Sequence, residues 1–271
     1  MIPIRDYNPT TRRPYVTVLL IATCILVFFW QMSLDPGSGQ VLVRQFGFIP
    51  DLLLGEATLD SGPIPAWGTL FTSMFLHGGI MHLAGNMLYL WIFGNNIEDV
   101  MGHGRFLGFY LLCGLLAAMA QALPDMDSTI PMIGASGAIS GVLGAYLLLF
   151  PKAQVQVIIP IGFFMMRTLP AGWLLGIWIA FQVISGISSG IAGGGVAWWA
   201  HVGGFVAGMA LVHLFRQKDI TQPPDPGLPS QRKHKATASR SRIPDSRTAP
   251  RRLTEPPPLP DRPTVQRRRD P

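Results

Sequence analysis

The sequence predicts an all-α polytopic membrane protein, a bundle of six transmembrane helices followed by a disordered C-terminal tail. Three observations predict it. Of 271 residues, 49% are hydrophobic and 13% charged, about half the charged share of a soluble domain. Apolar stretches near the ~20 residues needed to cross ~30 Å of hydrocarbon recur along the chain. Charge and proline are segregated: residues 1–215 carry a net charge of −2, whereas residues 216–271 carry +8 and 12 of the 24 prolines. Together these exclude a soluble α/β enzyme over most of the length. Cys24 and Cys113 both sit in apolar runs, where cysteine behaves as a small hydrophobe, so a disulfide framework is excluded too.

The predicted spans are residues 15–32, 80–94, 106–123, 136–150, 169–186 and 196–215. The second and fourth are short and are expected to draw on flanking residues. The first is too long for a cleaved signal peptide, and no small-residue cleavage site follows it. Residues 155–166 are apolar but interrupted by Pro160 and closed by Arg167; that length fits an interfacial or re-entrant segment rather than a seventh span. Basic residues set the orientation. Arg5, Arg12, Arg13, Lys152, Arg167 and the tail lie on one side, and the loops 33–76, 124–135 and 187–195 contain only Arg44. Both termini are therefore expected in the cytoplasm, with an N-terminal flank over 1–14 and the membrane domain over 15–215.

The external loop 33–76 carries Phe46, Phe48, Ile49 and Trp67, which suggests a segment lying in the interface. The tail, with Pro256 to Pro258 and Arg267 to Arg269, offers no core and reads as disordered. Its charge suits anionic lipid headgroups of the bilayer. Nucleic acid is not an expected partner, because no stacking aromatics alternate with the basic residues.

Polar residues inside the spans are functional candidates by default. In the assigned topology the second, fourth and sixth helices all run inward. His82 and Asn86, Ser136, and His201 then fall at one depth in the outer half of the bilayer. Ser136 opens its helix within Gly134-Ala135-Ser136-Gly137. The flanking glycines admit a substrate backbone, and the helix N-terminus favours a developing oxyanion. The alternative is a serine in a helix-packing stripe, as Gly137, Gly141 and Ala145 repeat every four residues. His201 precedes Gly204 and Gly208, which would let two helices approach to about 6–7 Å and bring imidazole to the serine hydroxyl. A structural histidine donor is the alternative there. His82 and Asn86, four apart, share a helix face and can donate to an oxyanion. A zinc site is disfavoured: His77 and His82 are five apart, and no carboxylate or cysteine lies at that depth. With no acid to orient His201, the residues point to a dyad rather than a triad. Glu98 and Asp99 are expected to be structural, pairing with Arg105 or capping the third helix.

With these residues assembled, residues 1–215 resemble a bacterial rhomboid, an intramembrane serine protease. The resemblance rests on His77, His82 and Asn86 (HxxxxHxxxN), Gly134 to Gly137 (GxSG), and Ala200, His201, Gly204 and Gly208 (AHxxGxxxG); the opening Asp6-Tyr7-Asn8-Pro9-Thr10 is similar to the amphipathic start of many bacterial members. It implies Ser136 as nucleophile and His201 as general base and acid. It implies an oxyanion hole from His82, Asn86 and the Ser136 amide, with His77, Gly134, Gly137 and Gly204 in support. The implied activity is hydrolysis of peptide bonds in or beside transmembrane helices of single-pass or polytopic membrane-protein substrates, without metal or cofactor, in an inner membrane and with the site opening outward. Two positions depart from the family: Ser140 stands where an aromatic often stacks on the histidine, for which Trp198 and Trp199 are candidate replacements, and Trp67-Gly68 stands where Trp-Arg is common. A non-proteolytic, client-binding relative is the alternative function, and a transporter a distant third. For access, the glycine- and serine-rich loop 185–195 is a candidate cap, and the fifth helix, with Gly172 and Gly176, a candidate side gate.

Overall fold

The computed structural model describes residues 1–54, 62–161, 163–189 and 195–217. The expected tail beyond residue 217 and residues 190–194 of the expected cap loop lie outside the described residues. In chain order the elements are β1 (Ile2–Asp6), α1 (Tyr15–Ser33), α2 (Pro36–Phe46), α3 (Pro50–Leu54), α4 (Ala66–Thr72), a 3-10 turn (Ser73–Phe75), α5 (Ile80–Met101), α6 (His103–Ala122), α7 (Ser136–Leu149), β2 (Gln154–Ile161), β3 (Phe163–Pro170), α8 (Ala171–Ser189) and α9 (Trp198–Phe215). Each of the six predicted helices is present. Four of them, α1, α6, α8 and α9, are long and apolar enough to cross a bilayer, so the chain is a multi-pass membrane protein. As expected, α5 takes in flanking residues. In contrast, α7 stays at 14 residues, about 21 Å against ~30 Å of hydrocarbon. Pro151 stops it, because the residue before a proline is driven out of the helical region; Phe150 has φ −132° and ψ 46°.

The molecule is not all-α. Residues 155–166, expected as an interfacial or re-entrant segment, take the form of most of a β-hairpin, in which β2 pairs antiparallel with β3 on one side and β1 on the other. Val155 and Val157 are fully buried while Gln154 and Gln156 are not. That is the period of two of a half-buried strand, here carried by β-branched residues. The N-terminal flank supplies the third strand, with Ile2 opposite Ile158 and Tyr7 N–H donating to the Gln154 carbonyl at 2.9 Å. Such pairing across 150 residues leaves no local pattern. The fifth helix consequently starts at Ala171, after strand β3, and not at 169.

Glu98 and Asp99 neither pair with Arg105 nor cap α6. They end α5 and seize the start of α1. Glu98, fully buried, accepts from Val16 N–H (2.8 Å), Thr17 N–H (2.8 Å) and Thr17 Oγ1 (2.7 Å), and lies 2.6 Å from His103 Nδ1. Asp99 accepts from Thr11 N–H, Thr11 Oγ1 and Arg12 N–H. Since α1 has no capping side chain of its own, the carboxylate satisfies its orphan amides from outside. A carboxylate at the C-terminal end of α5 opposes that helix's dipole by about 0.3–1 kcal/mol, and its place at the α1 N-terminus offsets this. Two more bonds gather the same end. Tyr146 OH donates to Asp6 Oδ2 at 2.9 Å, and Gln217 N–H donates to the Val100 carbonyl at 3.1 Å. The last turn of α5 thus meets the first turn of α1, that of α7 meets β1, and the residues that follow α9 meet the end of α5, which puts the first turns of α5, α7 and α9 together at the opposite end.

There α7 and α9 cross without side chains between them. A Cβ on Gly204 would run into the Gly137 carbonyl oxygen, and one on Gly208 into that of Gly141. In the connection between α1 and α5, Phe48 and Ile49 are buried rather than presented outward. Phe48 is paired with Met132 through two backbone bonds of 2.7 and 3.0 Å and packs with Leu70, Ala118 and Ala122. Trp67 is exposed.

Candidate active site

Ser136 is the first residue of α7, His201 the fourth of α9, and His82 and Asn86 lie in the first two turns of α5. All four border one cavity of about 740 Å3. His201 Nε2 lies 2.8 Å from Ser136 Oγ. The close crossing at Gly204 and Gly137 makes this possible, because neither side chain is long enough to bridge two helices separated by larger residues.

Gly134 has φ +126°, a conformation that glycine adopts freely, and its N–H donates to the Ser73 carbonyl at 2.8 Å. A Cβ here would come within 2.8 Å of the His82 ring, so the glycine both makes the turn into α7 and leaves room for the imidazole. Gly78 N–H donates to His82 Nδ1 over a long 3.4 Å. With Nδ1 accepting, the neutral ring carries its proton on Nε2 and is a donor there. Asn86 is buried, and its Nδ2 has no hydrogen-bond acceptor among the described protein groups. A buried amide donor without a partner costs about 1–3 kcal/mol, and this one borders the cavity. At the first residue of α7 the Ser136 N–H belongs to the helix's free amides. These groups can neutralise negative charge developing beside Ser136 Oγ.

His77 does not face this cavity. Its N–H donates to Gln31 Oε1 (3.0 Å) while its carbonyl accepts from Gln31 Nε2 (3.3 Å), and its ring packs edge-on against His82 at 5.2 Å. The last turn of α1 thereby holds the lead-in to α5. Ser140, expected as helix packing, is buried and donates to the Ser136 carbonyl at 2.7 Å.

Sequence reasoning missed two side chains around His201, both from α8. Gln182 Oε1 lies 2.7 Å from His201 Nδ1. Trp178 lies beside the imidazole, with ring centroids 6.0 Å apart and planes tilted by 36°. Trp198 stands edge-on at 6.3 Å, as one of the two expected replacements for the aromatic absent at Ser140. Trp199 lies instead against Gly186. A signal for Gln182 existed: it is the one side-chain amide in α8, whose other polar side chains are the serines of its last turns, and a buried amide there needs a partner. A search confined to carboxylates passes over it. A second cavity of about 280 Å3 borders His82 on another side and is lined in part by Gln121, Asp125 and Ser128, polar groups suited to holding water.

A glycine-crossed helical bundle with a hydrogen-bonded serine and histidine at one cavity defines a class of membrane protein built around a buried hydroxyl–imidazole pair. The Rhomboid domain family matches residues 65–218, and the chain belongs to that family. It is similar to Rhomboid protease GluP of Bacillus subtilis, 39% identical over 137 residues covering 50% of this chain and 24% of that one. It is also similar to Rhomboid protein 1, mitochondrial, of Saccharomyces cerevisiae (29% over 150 residues; 52% and 40%), and to Presenilin-associated rhomboid-like protein, mitochondrial, of Homo sapiens (29% over 156 residues; 56% and 36%). The matched stretches span between about a quarter and two-fifths of these relatives' lengths.

Proposed function

We propose that this chain is an intramembrane serine endopeptidase that cleaves membrane-protein substrates with Ser136 and His201. The observation that carries the reading is the 2.8 Å approach of His201 Nε2 to Ser136 Oγ inside a cavity. His201 takes the hydroxyl proton as Ser136 attacks the scissile carbonyl, then returns it to the leaving amine; water reverses the sequence on the acyl-enzyme. The oxyanion is met by Asn86 Nδ2, His82 Nε2–H and the Ser136 N–H.

In this reading six helices cross the bilayer, α5 and α7 joining the four apolar ones, with both termini in the cytoplasm of an inner-membrane protein. The shortness of α7 supports a recessed site: with its last turn at the inner boundary, its first residue lies below the outer surface. Substrate reaches Ser136 past α8, whose Trp173, Ile177, Phe181 and Ile184 are exposed. An intact helix has no free carbonyl to offer, so preferred substrates carry small residues at the scissile bond and Gly, Pro or polar breakers nearby. The test is labelling of the purified protein by a fluorophosphonate probe. Label on Ser136, lost in Ser136→Ala, is expected; a folded wild-type protein that takes no label overturns the reading in favour of a non-proteolytic, client-binding relative.

A further inference from the structure

We propose that Gln182 is a positioning residue for His201, its amide oxygen holding the proton on Nδ1 so that Nε2 is left as the base facing Ser136. This rests on the catalytic reading of Ser136 and His201. Neutral imidazole has one N–H and one lone pair, and only the tautomer with hydrogen on Nδ1 accepts the serine proton at Nε2. Gln182 is 5% exposed, and its Oε1, 2.7 Å from Nδ1, accepts from Nδ1–H in the neutral ring and in the imidazolium alike. Trp178 and Trp198 flank the ring and restrict its rotation, while the amide selects which nitrogen carries the proton. A glutamine differs from a carboxylate in that role. It fixes tautomer and direction with a dipole, adds no full charge, and leaves the imidazolium less stabilised. The titratable group acting electrostatically on His201 is His82, on α5, and among the described residues no acidic side chain shares the cavity lining.

The full-length protein with Gln182→Met, Gln182→Glu and wild type, assayed on one membrane-protein substrate across pH, tests this. In Gln182→Met, which keeps the length but removes the acceptor, kcat should fall on the order of 10–100-fold with KM within about twofold, as an interaction used in the transition state is lost. In Gln182→Glu the carboxylate favours the imidazolium, so the acid limb of kcat/KM should move to higher pH by about one unit or more. A merely structural glutamine would not move that limb. Wild-type kcat in Gln182→Met with an unmoved limb in Gln182→Glu overturns the proposal. Should Gln182→Met fail to fold, the near-isosteric Gln182→Glu carries the test alone. A wild-type protein that neither cleaves nor takes a fluorophosphonate label defeats the catalytic reading itself, whereas an active wild type with an unmoved limb defeats only the role of Gln182.

Discussion

The carbonyl oxygen of Gly137 occupies the space that a Cβ on Gly204 would need. The two glycines lie one and three residues beyond Ser136 and His201, so the spacing of α7 and α9 and the 2.8 Å bond between the side chains are one geometric fact. Gly204→Ala should force the helices apart and cut turnover by at least about 10²-fold, with a stability loss of about 1–3 kcal/mol, the usual cost of overpacking. Cleavage rate together with thermal unfolding in detergent checks both; wild-type turnover in Gly204→Ala would contradict the coupling.

Ser136→Ala and His201→Ala should each abolish cleavage and leave the protein folded. The double variant should be little worse than either single one, because the two act as a unit. Single-turnover kinetics on all three variants measure this.

Loss of one oxyanion donor typically costs ~10²–10³ in rate, or about 3–4 kcal/mol. Asn86→Ala and His82→Ala should therefore lower kcat with KM little changed, and less completely than Ser136→Ala. Unchanged kcat in both would place the donors elsewhere.

At the other end of the bundle, Glu98→Gln replaces a carboxylate that accepts three hydrogen bonds from α1. One amide oxygen cannot serve them equally, and a hydrogen bond to a charged group contributes about 1.5–3 kcal/mol net. A stability loss of about 2–3 kcal/mol is expected, read as a lower unfolding temperature, with fluorophosphonate labelling of the folded fraction retained.

Asp6 gives stability a pH dependence at the sheet. Burial pushes its carboxyl up to about 6, although the Tyr146 hydroxyl pulls it down. A carboxyl whose folded value is raised favours the folded state most when protonated. Its contribution is full below the ordinary value near 4 and is lost as pH rises through about 6. Asp6→Asn should flatten the unfolding temperature between pH 4 and 7, and an identical slope in wild type and variant would rule Asp6 out as its source.

Much of the architecture is legible in the sequence. Helix positions followed from apolar run length, and Ser136, His201, His82 and Asn86 followed from the rarity of polar groups in apolar spans and from their common depth. The strands were harder. Gln154-Val155-Gln156-Val157 has the alternation of a strand, but its apolar content and position beside helices suggested a membrane segment, and β1 has meaning only beside β2.

Run length, charge asymmetry and glycine spacing are local quantities, and by themselves they determined the six helices and which of their ends carry the polar residues that border one cavity. Apart from the approach of His201 to Ser136, which the glycine spacing anticipates, the tertiary structure alone decided what each polar group touches. Gln182 reaches His201 across 19 positions, Gln31 holds His77 across 46, and Glu98 caps α1 across 81. Such partners are set by which helix faces meet when the bundle closes, and a buried hydrogen bond forms wherever closure puts donor against acceptor. No spacing along the chain encodes that meeting.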